Sequence, residues 1–220
     1  MTNVLILIDI QKEYITKGRP FYLQGIEKSL ENCRNLLQFA RKNKWEIAHV
    51  QHSNGEGAAR FDSKSEFYDF VPGFEPLATE KHFIKKDFSC YSSVEFSDYM
   101  NKITQTPQEN KIYLIGYNSV MCCLSTIEEA RRRSHKINFV EDASHAKSIG
   151  NIDEAETHNF MVNLYKEKNL ATIVNTQSVI RPVILVSALQ IQLFKLKIEN
   201  DPGCDSGIGV GTFQSEFKLK

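Results

Sequence analysis

Three kinds of side chain in this 220-residue chain could together cleave an acyl bond: the carboxylate of Asp9, an ammonium at Lys85 or Lys86, and the thiol of Cys122. A carboxylate can take the proton of a thiol. An ammonium can hold that carboxylate in place and offset developing negative charge, and the thiolate can attack a carbonyl carbon. Each residue also has a plainer reading. Asp9 could only cap a turn, and a free cysteine is more often a small buried apolar residue than a reactive one. What links the three is position, since each follows a run that reads as a β-strand.

Those strands come first among the elements that must do the positioning. Val4-Leu5-Ile6-Leu7-Ile8 is continuous, apolar and rich in β-branched residues, as in a central parallel strand, and Asp9 closes it on the sheet rim. Ile112–Ile115 is a second such run, and Gly116 is expected to stop it. From Met121 the apolar positions recur at helical spacing, which puts Cys122 at the first turn of a helix. Unpaired backbone N–H groups and the positive end of the helix dipole are then expected to lower the thiol pKa.

The remaining text alternates in the same way. A helix is predicted over Ile26–Asn43, a strand over Trp45–Val50, and a short strand over His82–Lys86. A helix over Val94–Asn101, a strand over Ile137–Val140 and a turn at Asp142-Ala143-Ser144 follow. Asp153 with Glu156 reads as the start of a helix running to Lys168, and Ala171–Val174 as a last strand. This predicts an α/β protein, a three-layer, doubly wound, Rossmann-like parallel sheet of about five or six strands over residues 1–180. The irregular stretch from His52 to Pro76 reads as a binding or lid segment, or an inter-subunit contact. Residues 181–220 change character and read as a C-terminal extension, either an accessory arm or a partly disordered tail. Its Gly207–Gly211 stretch lacks dinucleotide-loop spacing.

Composition narrows the function. Lys plus Arg and Asp plus Glu both total 27, so the formal charge is zero, which favours neither nucleic acid nor an anionic membrane as partner. No apolar run approaches a membrane span. Five cysteines form an odd set without framework spacing, which fits a reduced, cytoplasmic setting. The expectation is a soluble protein acting on a small molecule, as a homo-oligomer (dimer or tetramer), with no cofactor.

Several segments carry a resemblance. Leu5-Ile6-Leu7-Ile8-Asp9-Ile10-Gln11 looks like a strand ending in D-x-Q. Gly116 to Thr126 is similar to a G-x-x-T-x-x-C-V-x-x-T signature, with Ser119 for threonine and Cys123 for valine. Ala130 and Asp142-Ala143 match the small residue and D-A pair that follow. Lys85 to Tyr91 is similar to K-x-x-x-S-A-F, with Cys90 for alanine; the spacing selects Lys85 and keeps Lys86 as an alternative. Together, over residues 3–180, the chain resembles the isochorismatase-like cysteine hydrolases, the nicotinamidase and N-carbamoylsarcosine amidase superfamily.

The resemblance implies Asp9 as base, Lys85 as its electrostatic partner and Cys122 as nucleophile. It also implies a cis peptide at Tyr117–Asn118 and an oxyanion hole built from the backbone N–H groups of Asn118 and Cys122. Tyr14 and Tyr91 are expected on the rim, as substrate contacts or as packing. A nicotinamidase-type metal site would need an aspartate where His49-Val50-Gln51-His52-Ser53-Asn54 has none. His49 and His52, three apart, would not readily face one way, so no metal is expected. Isochorismate hydrolysis needs an acid but no thiol, so an intact cysteine favours cleavage of an amide, ureide or carbamoyl C–N bond. Vinyl-ether hydrolysis and an inactive binding or scaffolding role are the alternatives.

Overall fold

The computed structural model describes residues 3–105 and 110–180, so the proposed extension lies outside the described residues. Its elements run β1 (Val4–Ile8), α1 (Lys12–Ile15), α2 (Glu27–Lys42), β2 (Glu46–His52), β3 (Lys81–Lys85), α3 (Val94–Thr104) and β4 (Ile112–Tyr117). A π-helical turn, Ser119–Cys123, leads into α4 (Leu124–Arg132), followed by β5 (Ile137–His145), α5 (Glu154–Glu167), β6 (Thr172–Val174) and α6 (Thr176–Ile180).

All six strands pair in parallel in the order β3-β2-β1-β4-β5-β6. Alternation along β1 divides the core. Val4, Ile6 and Ile8 pack with Phe96, Met100, Ile127, Met161 and Tyr165 of α3, α4 and α5 on one face. Leu5 and Leu7 pack with Cys33, Leu36 and Leu37 of α2 and with Val179 of α6 on the other. A strand buried on both faces must be apolar throughout, which is why β1 reads as an unbroken run. Chain direction through the sheet reverses between β1 and β4, and the crevice outside their carboxyl ends is where open sheets of this kind receive ligands. Among the described residues no helix is long and apolar enough to cross a membrane.

Three boundaries differ from the sequence expectation. Gly116 does not end β4, which continues to Tyr117. Asp142-Ala143-Ser144 is not a turn but the later part of β5. After a register shift between Leu114 and Gly116, the two strands resume pairing at Gly116–Ser144 and Tyr117–His145. The Ser144 hydroxyl donates to the Gly116 carbonyl at 2.6 Å across that irregularity. The third difference is at the helix start. Residues 119–123 form a wide turn closed by Cys123 N–H donating to Asn118 O at 3.1 Å, and the regular α-helix begins only at Leu124.

An ion-pair cluster fastens the sheet edge to α2. The Glu80 carboxylate receives Arg41 through Nε at 2.7 Å and Nη2 at 2.9 Å, His49 Nε2 at 2.8 Å and the Leu77 N–H at 2.8 Å. Burial alone would raise this carboxyl, but Arg41, the Leu77 N–H and His49 together bring it down to about 2. A depressed carboxyl adds stability above its unfolded value near 4.5, and that contribution is lost as the pH falls toward 2. Glu80→Gln is therefore expected to lower Tm at pH 7 by about 3–6 °C. The gap to the native protein should narrow in scans stepped from pH 5 down to pH 3.

Candidate active site

The carboxyl ends of β1, β3 and β4 deliver three side chains to one point. Asp9 follows β1 with a positive φ of 52°, held by its N–H donating to Val50 O at 2.8 Å and its carbonyl accepting from Gln11 N–H at 2.8 Å. That bend turns the carboxylate inward, where it is fully buried. Lys85, the last residue of β3, is equally buried and places Nζ 2.9 Å from Asp9 Oδ2. The same ammonium lies 3.3 Å from Cys122 Sγ. Lys86 is exposed just past the end of the strand and makes no ion pair with Asp9, so the geometry selects Lys85. Apart from the ion pair with the Lys85 ammonium, neither oxygen of the Asp9 carboxylate has a hydrogen-bond partner among the described residues. It keeps capacity to accept a proton.

Cys122 lies within the π-helical turn, only 5% exposed, with its sulfur accepting from the Lys85 ammonium and the Asp9 carboxylate as a charged neighbour. Its electrostatics run opposite to the sequence expectation. Burial and the neighbouring Asp9 charge push the thiol well above its ordinary pKa, and Lys85 offsets only part of that. Desolvation outweighs the helix end here because the sulfur is enclosed rather than at an open N-terminus. At rest the proton sits on sulfur, and Asp9 is placed to remove it. Cys123, by contrast, turns into the core, with its sulfur 3.8 Å from Gly116 O.

The turn before Cys122 is built by Asn118. Its side-chain Oδ1 accepts from Met121 N–H at 3.0 Å, capping the helix entry, and the Tyr117–Asn118 peptide is cis. The Tyr117 hydroxyl shares a hydrogen bond with Ser29 at 3.0 Å.

A cavity of about 190 Å³ opens at the sulfur. Tyr14, Phe21, Phe61, Phe88 and Met121 form its apolar walls, and His52, Asn54, Arg60, Lys86 and Asp87 its polar ones. Tyr14 is buried here in an aromatic cluster, its ring centroid 5.5–5.9 Å from those of Phe21, Phe61 and Tyr117. Tyr91 is not part of this wall. Its hydroxyl pairs with His135 Nδ1 at 2.7 Å, and it lines a separate surface depression with Ser125 and Glu128. Cys90–Ser92 fold into a 3₁₀ turn capped by Ser89, which carries Tyr91 away from Lys85 and packs it on Phe96.

Two polar residues of the site had no assigned role in the sequence. His52 ends β2 with Nδ1 3.0 Å from Lys85 Nζ. Gln11 holds His52 by its backbone, its Oε1 accepting from the His52 N–H at 2.9 Å and its Nε2 donating to His52 O at 3.1 Å. The D-x-Q spacing was the available signal for Gln11. For His52 the signal was its place at a strand end level with Lys85, its register partner. His49 faces the opposite side, toward Glu80, so the two histidines share no site.

The buried ion pair gives a direct comparison between the two lysines. Lys85→Met strands the Asp9 carboxylate without its counter-ion and should cost about 3–5 kcal/mol of stability. Lys86→Met should stay within about 0.5 kcal/mol of the native chain. Urea unfolding of both variants at pH 7 decides between them.

Comparison with known proteins gives a consistent set. The isochorismatase domain model matches residues 3–178. The secreted isochorismatase effector Isc1 of Verticillium dahliae is 26% identical over 154 residues, covering 70% of this chain and 78% of that protein. A solved isochorismatase structure from Pseudomonas putida superposes with a TM-score of 0.71 at 27% identity, covering 80% of this chain and 89% of that one. N-carbamoylsarcosine amidase from Thermoplasma acidophilum shares the fold, with a TM-score of 0.64 at 18% identity over 80% of this chain and 97% of that one.

Proposed function

The chain belongs to the isochorismatase family, and from that premise we propose that it is a cysteine hydrolase that cleaves a C–N bond of a small amide, ureide or carbamoyl substrate. The observation that carries this reading is the meeting of Asp9, Lys85 and Cys122 within 3.3 Å of one ammonium, at the floor of a cavity of about 190 Å³. A cavity of that volume suits a substrate of a few heavy atoms, with aromatic walls for a flat group.

In this mechanism the substrate carbonyl settles beside the sulfur. Asp9 takes the thiol proton as sulfur bonds to the carbonyl carbon, and the carbonyl π pair moves onto oxygen. Backbone N–H groups of Asn118 and Cys122 receive that oxyanion. Lys85 holds the Asp9 carboxylate and lies close enough to offset negative charge growing on sulfur. As the tetrahedral adduct collapses, the C–N bond breaks and the leaving nitrogen takes the proton from Asp9. Water then attacks the thioester with Asp9 again as base, releasing the acid and returning a proton to sulfur.

A second reading is isochorismate-type vinyl-ether hydrolysis, favoured by the name isochorismatase borne by two relatives. The two differ in a covalent intermediate. Acid quenching during turnover of a small-amide panel, followed by intact mass measurement, should trap an acyl group on Cys122. Turnover with no acyl adduct at any time point would reject the thioester route. A homo-oligomeric assembly and a cytoplasmic setting belong to the same proposal.

A further inference from the structure

We propose that His52 is a positioning residue for the catalytic lysine, a neutral imidazole whose Nδ1 accepts a hydrogen bond from the Lys85 ammonium and ties that charge to the cavity wall. The inference rests on the cysteine-hydrolase reading above and adds to it a residue that the Asp–Lys–Cys set does not contain.

An ammonium has three N–H donors, and at zero exposure Lys85 has to place them within the protein. Its four neighbours are Asp9 Oδ2 at 2.9 Å, His52 Nδ1 at 3.0 Å, Asp87 O at 3.1 Å and Cys122 Sγ at 3.3 Å. The three nearest are oxygen or nitrogen acceptors. The sulfur, a weak acceptor while protonated, is farthest.

The direction of the His52 bond follows from its other nitrogen. Nε2 lies 2.9 Å from Asn54 Oδ1, an acceptor only, so Nε2 carries the proton and Nδ1 is the acceptor. Asn54 is oriented in turn by its Nδ2, which donates to Arg60 O at 3.1 Å. One run of hydrogen bonds therefore leads from Lys85 through His52 and Asn54 to the Arg60 backbone. The groups facing the imidazole agree with a neutral ring. Lys85 bonds its Nδ1, Asp9 is paired to that lysine, and Tyr14, Arg60, Lys86, Asp87 and Cys122 line the same cavity. Burial and the Lys85 charge both disfavour protonating it, against the smaller opposing pull of Asp9.

Losing the Nδ1 acceptor would leave the third N–H of the ammonium with only the weakly accepting sulfur, so the charge is held less firmly. That weakens the charge beside Cys122 and slows formation of the thiolate.

Two substitutions separate this role from ring packing. His52→Asn keeps an oxygen near the Nδ1 position. His52→Phe keeps the ring edge against Phe61, whose centroid is 4.9 Å away, but offers no acceptor. The readout is the rate at which iodoacetamide, itself a small amide, alkylates Cys122 in the full chain at pH 7.5, followed by peptide mass spectrometry. His52→Phe should react at least about tenfold more slowly than the native chain and His52→Asn within about threefold of it. The reverse order, or equal rates in all three, overturns the proposal. Nitrogen-15 NMR supplies a measurement independent of the thiol. His52 should appear as the Nε2–H tautomer at pH 7, and Lys85→Met should raise its titration midpoint. An Nδ1–H tautomer or an unmoved midpoint also overturns it. Should native Cys122 alkylate no faster than Cys123, the hydrolase reading fails, while the NMR result still decides the His52–Lys85 bond.

Discussion

Cys122→Ala is expected to fold normally and to lose turnover by roughly 10⁴-fold or more on any amide the native chain accepts. In the proposed mechanism the thiol, which lines the cavity, gives its electron pair to the carbonyl as Asp9 takes its proton. Removing it widens an existing hollow rather than opening a void in packed core, so stability should stay within about 1 kcal/mol. Cys123→Ala makes the converse control. That side chain is fully buried between the sheet and α4, so its loss should lower stability with little change in kcat. Steady-state kinetics and urea unfolding on both variants make the check. Cys122→Ala turnover within tenfold of the native rate would exclude sulfur as the nucleophile.

Gly116→Ala should have the largest effect on stability, about 4 kcal/mol or more, a large part of what a domain of this size possesses. Gly116 sits in β4 directly beside Ile8, with φ at +109°, and a Cβ there would lie 2.1 Å from the Ile8 carbonyl oxygen. Neither backbone can retreat, because β1 and β4 are the central strands and both carry site residues at their next positions. Gly55→Ala separates strain from collision, since φ is +89° there but nothing lies within 4 Å of the added carbon. It should cost about 1–2 kcal/mol. Comparison of the two urea midpoints, with soluble yield as a second readout, is the measurement. A Gly116→Ala midpoint matching that of Gly55→Ala would mean that the strands part without penalty.

Much of this arrangement was readable from the chain. An apolar run ending in Asp9, a lysine closing a short strand and a cysteine soon after a second apolar run are local patterns, and strand ends in a parallel sheet meet on one rim. What escaped were the properties that depend on neighbours distant in sequence. The Cys122 pKa goes up because the sheet and the aromatic cluster enclose it, and helix position alone could not say so. Tyr91 follows Lys85 by only six residues, yet the 3₁₀ turn between them sends it to His135. Strand β5 overran its predicted end because pairing with the irregular end of β4 outweighs the turn-forming tendency of Asp142 and Ser144. His52 reads as an ordinary polar residue at a loop entry until β2 and β3 are laid side by side.

On the proposed mechanism, a sulfur that keeps its proton until a carbonyl arrives has a bearing on how the enzyme ages. Peroxide and disulfides attack the anion, not the neutral thiol, and they need a path to it. With burial and Asp9 both holding the proton on Cys122, and only 5% of the residue open to solvent, the idle protein presents oxidants with little to react with. Chemical readiness is thus confined to the moments when a molecule fills the cavity, and the working atom is spared in between.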